Sequence, residues 1–172
     1  MKTLATAILV ITFLAITGCG GQEKPADIHM AALQGNLETI QQHIKAGSDL
    51  NEKDRFGSTP LIITATFGKT EAALALIEAG ADLNIKNNDG STPLITAAFF
   101  CRTKIVEALL EKGADKSAIN KAGSTALESV AAPFENVKTY YDNIGKALGP
   151  LGLRLDYEQI KMTRPKIAEM LR

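Results

Sequence analysis

A charge imbalance, a catalytic motif and a membrane-length apolar run are all missing from this chain. Lys and Arg together number 19 and so do Asp and Glu, leaving no net charge. A nucleic-acid binder shows a basic excess or stripe, and only the C-terminal tail leans that way, so no nucleic-acid partner is expected. There is no Gly-x-Ser-x-Gly elbow, no Cys-x-x-Cys, no His-Glu-x-x-His and no glycine-rich phosphate loop. The Asn- and Asp-rich turn before Gly90 looks like a calcium loop, yet Ile85 stands where the first carboxylate must be and Thr96 where the closing Glu must be. Carboxylates are scattered over the chain as solvated charges are. The expectation is therefore a non-enzyme with no catalytic residues, no metal and no cofactor. The longest apolar run, Leu4 to Ile16 with Thr6 and Thr12 inside it, falls short of the roughly 20 residues that span a bilayer.

What is present is repetition. Gly57-Ser58-Thr59-Pro60-Leu61 returns as Gly90-Ser91-Thr92-Pro93-Leu94 and again as Gly123-Ser124-Thr125-Ala126-Leu127, each 33 residues after the last. A second marker, built on Gly47, Gly80 and Gly113 followed two residues later by Asp49, Asp82 and Asp115, keeps the same beat. A fixed period of this size means stacked supersecondary units, none of which buries its apolar face alone.

The residues predict the form of each unit. Asp54, Asn87 and Asn120 each stand three residues before a Gly, the order a type I β-turn prefers, so each repeat opens on a hairpin tip. Thr59 and Thr92 offer a hydroxyl to the free N–H groups of a starting helix, with Pro60 and Pro93 in the first helical position, where no N–H is needed. Gly35 and Gly68 stop that inner helix, and an outer helix runs to Gly47, Gly80 or Gly113. Ile105, Val106, Leu109 and Leu110 mark the packed face of an outer helix.

These motifs resemble the ankyrin repeat. The family's Thr-Pro-Leu-His opening stands here as Thr59-Pro60-Leu61-Ile62 and Thr92-Pro93-Leu94-Ile95, its His replaced by Ile, while the first repeat keeps the His in Ala26-Asp27-Ile28-His29. The Gly-Ala-Asp-x-Asn close is matched by Gly80-Ala81-Asp82-Leu83-Asn84. The resemblance implies an all-α ankyrin-repeat solenoid over 26–172, of about four helix-turn-helix repeats joined by short hairpin loops, near 26–54, 55–87, 88–120 and 121–172. In the last repeat the outer-helix signature Lys166–Leu171 stands 62 residues beyond its counterpart starting at Lys104, an excess of 29 over the period. A helical insertion is thus expected near 134–164, where Val137, Tyr140, Tyr141, Ile144 and Leu148 recur at helical spacing before Gly149-Pro150.

The N-terminus reads differently. Lys2 and the apolar run have the form of a secretory signal over 1–18, and Ile16-Thr17-Gly18-Cys19 resembles the bacterial lipobox. That resemblance implies lipidation of Cys19, with 19–25 as a flexible tether, and Gly20 after it implies the outer membrane, facing the periplasm of the cell envelope. The membrane is then met only through the lipid anchor. Such a mature chain has no second thiol to pair with Cys101, which occupies the glycine position of the other repeats and is either a redox-responsive thiol or a packing residue.

The resemblance also implies a protein partner, held through the hairpin tips and the exposed inner-helix face by a monomer. Carried over position by position, the partner-binding residues are Leu33 and Gln34; Arg55, Phe56, Thr66 and Phe67; Asn88, Asp89, Phe99 and Phe100; and Lys121. Four of the five Phe that follow the signal fall in this set, whereas the stacking positions use Leu, Ile, Val and Ala. Two readings stand for Phe99 and Phe100: they face a partner, or Tyr140, Tyr141 and Leu148 of the insertion cover them. The partner is an envelope enzyme or a toxin, and a small-molecule or lipid pocket at the insertion is a further alternative. The first repeat reads as a cap, with His43 solvated on its outer helix and His29 bonded to a neighbouring turn.

Overall fold

The computed structural model describes residues 26–172, so the expected signal, Cys19 and the tether lie outside the described residues. Four helical pairs stack in series. They are α1 (Ile28–Gln34) with α2 (Leu37–Lys45), α3 (Pro60–Phe67) with α4 (Thr70–Glu78), α5 (Pro93–Phe99) with α6 (Thr103–Glu111), and α7 (Ala126–Ala131) with α9 (Tyr157–Leu171). Between the last two partners come α8 (Phe134–Leu148) and a 3-10 turn, Gly149–Leu151. Among the described residues there is no strand, and no helix is long and apolar enough to cross a membrane.

The turn and cap chemistry works as its residue types dictate. Asp54 Oδ1 accepts from the backbone N–H of Phe56 and of Ser58, both at 2.8 Å, and Gly57 N–H closes the turn onto Asp54 O. Asn87 and Asn120 repeat the arrangement. Thr59, Thr92 and Thr125 then cap α3, α5 and α7, with Pro60 and Pro93 inside the first turn and a reciprocal Thr125–Glu128 capping box in the third case. The hairpins are tied to each other as well. Asn88 N–H donates to Phe56 O at 3.0 Å and Lys121 N–H to Asp89 O at 2.9 Å, while Lys53 and Lys86 each reach a carbonyl 33 residues on. The 33-residue period of the sequence is thus the period of a hydrogen-bonded ladder along the tips.

The core is a continuous column of small and branched side chains. Ala32, Ile40, Leu61, Ala65, Ala73, Leu76, Leu94, Ala97, Ile105, Val106 and Leu109 are all fully buried. Alanine on the inner helices lets neighbouring repeats approach closely, and the aliphatic outer-helix residues fill the space between the layers.

Two placements differ from expectation. His43 is buried, not solvated: Nε2–H donates to Ala26 O at 2.7 Å and Nδ1 pairs with Ser48 Oγ at 3.0 Å. Its register explains this, because His43 holds the core position that Leu76 and Leu109 hold in the next two repeats. Gln41 and Gln42 are exposed, and His29 bonds Glu52 O at 2.9 Å. The second difference is α9, which starts at Tyr157, well before the outer-helix signature at Lys166, and runs through Pro165. Ile160 packs in its first half, while Ile167, Ala168 and Leu171 pack in its last turns. One long helix therefore serves both the added helix α8 and the outer layer.

Candidate functional site

The hairpin tips gather Arg55, Phe56, Asn88, Asp89 and Lys121 along the ladder, all of them exposed. Phe56 is 57% exposed, and the Arg55 guanidinium lies 4.7 Å from its ring centroid. An apolar ring open to water beside a cation has the mixed character common at protein interfaces. Asn88 fixes the spot, since its side-chain amide donates to Arg55 O at 3.3 Å in addition to the backbone bond to Phe56 O.

On the inner helices, Leu33, Thr66 and Phe67 are half-buried and Gln34 is exposed. The Thr66 hydroxyl is turned back onto Ile62 O at 2.9 Å. Sequence reasoning missed Met30, 51% exposed, although its i, i+3, i+4 spacing to Leu33 and Gln34 puts all three on one face of α1.

Phe100 is buried, which corrects its assignment to a partner-facing surface, and Phe99 is half-buried under the insertion. Tyr141 of α8, fully buried, stacks on Phe99 with ring centroids 4.6 Å apart, and Phe134 stacks on its other neighbours at 5.9 Å from Tyr141. The Tyr141 hydroxyl donates to Phe99 O and accepts from Arg164 Nη1 at 2.9 Å, and Arg164 Nη2 reaches Ala132 O. Phe100 is only 7% exposed, edge-on to Phe99 at 5.1 Å. The physical reason is the insertion itself: α8 lays Tyr141 over the Phe99 ring, and Phe100 packs edge-on beside Phe99. Tyr140 has no part in this cover, being 65% exposed, and Leu148 is half-buried.

Cys101 sits at the start of the next turn with φ +56, the one positive value among the described non-glycine residues. Its thiol is buried, and desolvation pushes it up to about 11 against the opposing pull of Arg164 and Arg102. A thiol that stays protonated at neutral pH is a poor nucleophile. In a Cys19→Ser background, Cys101 of the native chain is therefore expected to label with a maleimide at least about tenfold more slowly than in 6 M guanidinium. Equal rates would restore the redox reading.

A family model described as ankyrin repeats, three copies, matches residues 28–120. A solenoid of capped helical pairs with laddered tips and a match over more than half its length define the class, and the chain belongs to the ankyrin-repeat family. Ankyrin repeats are a protein-interaction scaffold, which is consistent with a protein partner of unspecified identity. Protein phosphatase 1 regulatory subunit 27 of Homo sapiens is 41% identical over 48 residues, which is 28% of this chain and 31% of that protein. The Mus musculus protein of the same name matches to the same extent. The chain thus spans about a third of the length of the curated relatives it matches.

Proposed function

We propose that this chain is a non-enzymatic protein-binding module, anchored by a lipid on Cys19 to the bacterial outer membrane and facing the periplasm. It holds one protein partner, an envelope enzyme or a toxin, on the hairpin tips and on the open inner-helix face of its first two repeats. The observation that carries the reading is Phe56: a large ring, 57% exposed, backed by Arg55 and fixed by the Asn88 ladder bond. The short match to two phosphatase regulatory subunits supports a role exerted on another protein rather than on a substrate.

The surface is narrower than the full stripe of inner-helix positions. Arg55, Phe56, Asn88, Asp89 and Lys121 supply the tips, with Met30, Leu33 and Phe67 beside them. Cross-linking pull-down from native envelope with full-length bait tests it. Phe56→Ala is expected to weaken capture of the partner by about 2 kcal/mol, roughly thirtyfold, while Tyr140→Ala on the exposed side of α8 leaves it unchanged. The reverse pattern would move the interface to the insertion. Anchoring is read separately from labelled palmitate: incorporation into the wild type and none into Cys19→Ser is the expected result, and an unlabelled wild type would sink it.

A further inference from the structure

Leu33, Thr66 and Phe99 hold one register position on α1, α3 and α5, 33 residues apart. In the first two repeats that position belongs to the open inner-helix face. In the third, the Tyr141 ring of α8 lies on it, centroids 4.6 Å apart, and its hydroxyl donates to Phe99 O. The insertion therefore sits on the third repeat's share of the surface that the partner-binding reading uses.

The seat of α8 is loose for a helix that covers an apolar ring. Of its 15 residues only Tyr141 is buried, with Phe134 and Val137 half-buried beside it. Glu135, Lys138, Asp142 and Lys146 fall on one flank by helical spacing, and that flank meets α9: the Tyr157 hydroxyl donates to Asp142 at 2.7 Å and Lys161 pairs with Glu135 at 3.5 Å. Both members of that ion pair are exposed, where such pairs contribute little. The insertion also leaves a cavity of about 180 Å³ against the third repeat, with Cys101 and Arg102 on one wall and Arg154 and Ile160 on the other. A well-packed interior carries few voids of that kind.

The closed position has an electrostatic cost as well. Arg164 is 2% exposed; it donates to the Tyr141 hydroxyl and to Ala132 O, both neutral, and its Nε has no partner. A cation buried among neutral acceptors loses hydration that they restore only in part. Lifting α8 admits water to Arg164 and to Phe99 O together, so the open position orphans neither. The chain has a joint at each end of the helix. Ala132 and Pro133 are extended before it, ψ 146 and 142, and Gly152 turns left-handed after it, φ +100, with no non-neighbouring atom within 4 Å of where a β-carbon would stand.

We propose that α8 is an autoinhibitory cover: it occupies the third repeat's position on the inner-helix face, and a partner held by the first two repeats displaces Tyr141 and takes its place on Phe99. This inference rests on the partner-binding reading above. The closed chain binds with its intrinsic affinity reduced by the fraction that is open, so releasing the cover strengthens binding before any contact to the partner is improved.

Two measurements on the full-length chain in mild detergent test it. In hydrogen exchange without partner, the α8 amides from Val137 to Ile144 are expected to share one opening that is more frequent than that of α3, and Tyr141→Phe to make it more frequent still. Exchange of α8 only together with α3 and α5 would overturn the cover. In cross-linking capture of the partner that the wild type retains from native envelope, Tyr141→Ala, confirmed folded by circular dichroism, is expected to raise capture at least about tenfold. If that variant is misfolded, Tyr141→Phe decides, with an expected gain of at least about threefold. Adding Phe99→Ala is expected to remove the gain, and adding Phe56→Ala to weaken capture as it does in the wild type, which surface stickiness would not reproduce. Capture that is unchanged or lower on release of Tyr141, while Phe56→Ala still weakens it, overturns the cover and leaves the partner reading standing. Loss of the Phe56 effect in the wild type overturns both.

Discussion

Tyr141→Ala is expected to cost the folded chain about 4 kcal/mol, read from urea denaturation as a fall in midpoint. Three losses combine there. A fully buried aromatic side chain is deleted from a packed site, its stacking with Phe99 and Phe134 goes, and its hydroxyl no longer joins α5 to α9. Tyr141→Phe separates these terms. It keeps the ring but leaves Phe99 O and Arg164 Nη1 short of a partner, at a cost of about 2 kcal/mol, because buried polar groups lose more when orphaned than they gain when paired. The arginine is already the weak point of the site, a buried cation with one unmet N–H. In the alanine variant α8 is expected to detach first, exposing Phe99 and Phe100, so dye binding to apolar surface rises before the repeats themselves melt. A cost below about 1 kcal/mol for Tyr141→Ala would mean that α8 is held by something other than this ring.

The same site makes stability depend on alkaline pH. Burial raises the Tyr141 hydroxyl from its ordinary 10.0 to about 12 and the Cys101 thiol from 9.0 to about 11. Both groups bind their protons more tightly folded than unfolded. Their contribution is whole below pH 9 and is lost as pH rises through 9 to 12, since above its ordinary value each group ionises more readily in the unfolded chain. The unfolding free energy of the wild type is expected to fall across that window, and Tyr141→Phe to lose the Tyr141 share of the slope between pH 10 and 12 while the Cys101 share between 9 and 11 remains. An equal slope in both proteins would show that Tyr141 ionises as freely folded as unfolded.

Repetition made most of the fold legible. Asp54, Asn87 and Asn120, with their following Gly and Thr, are local chemistry: turn, cap and first helical residue are decided within six positions, so they read correctly without tertiary knowledge. His43 was legible in principle, because its register with Leu76 and Leu109 already placed it inside; its polarity argued for water, and two hydrogen bonds settled the competition in favour of burial. The insertion was harder. Helical spacing located Tyr140 and Tyr141 but could not choose between them, and only the packed structure shows that the second ring turns inward while the first stays outside. A pocket at the insertion stood as an alternative, but its walls beside Cys101 were not legible for the same reason. Arg102 and Arg154 are 52 residues apart, and nothing local relates them.

Gly57→Ala is the substitution expected to do most damage at the hairpin tips, and Gly123→Ala is its control. Both glycines have left-handed backbones, φ +70 and +76, so a β-carbon costs each about 1 kcal/mol in conformation alone. Their surroundings differ. A β-carbon on Gly57 would stand 2.5 Å from Asn88 Oδ1 and 3.0 Å from Asn88 N, whereas on Gly123 it would meet nothing within 4 Å. The side-chain atom can swing away, but the backbone nitrogen moves only if the next hairpin moves, and that nitrogen donates the ladder bond to Phe56 O. Gly57→Ala is therefore expected to cost about 3 kcal/mol against about 1 for Gly123→Ala, the excess being one ladder bond and the displacement of a neighbouring repeat. The chain survives this loss if its global stability lies in the ordinary range of about 5–15 kcal/mol, so the effect also reads out at the surface. Accelerated exchange of the Asn88 amide together with weaker partner capture would show that the ladder positions the Phe56 anchor. Equal costs for the two alanines would mean that the tips adjust freely, and that the in-register contacts between repeats carry none of the solenoid's cohesion.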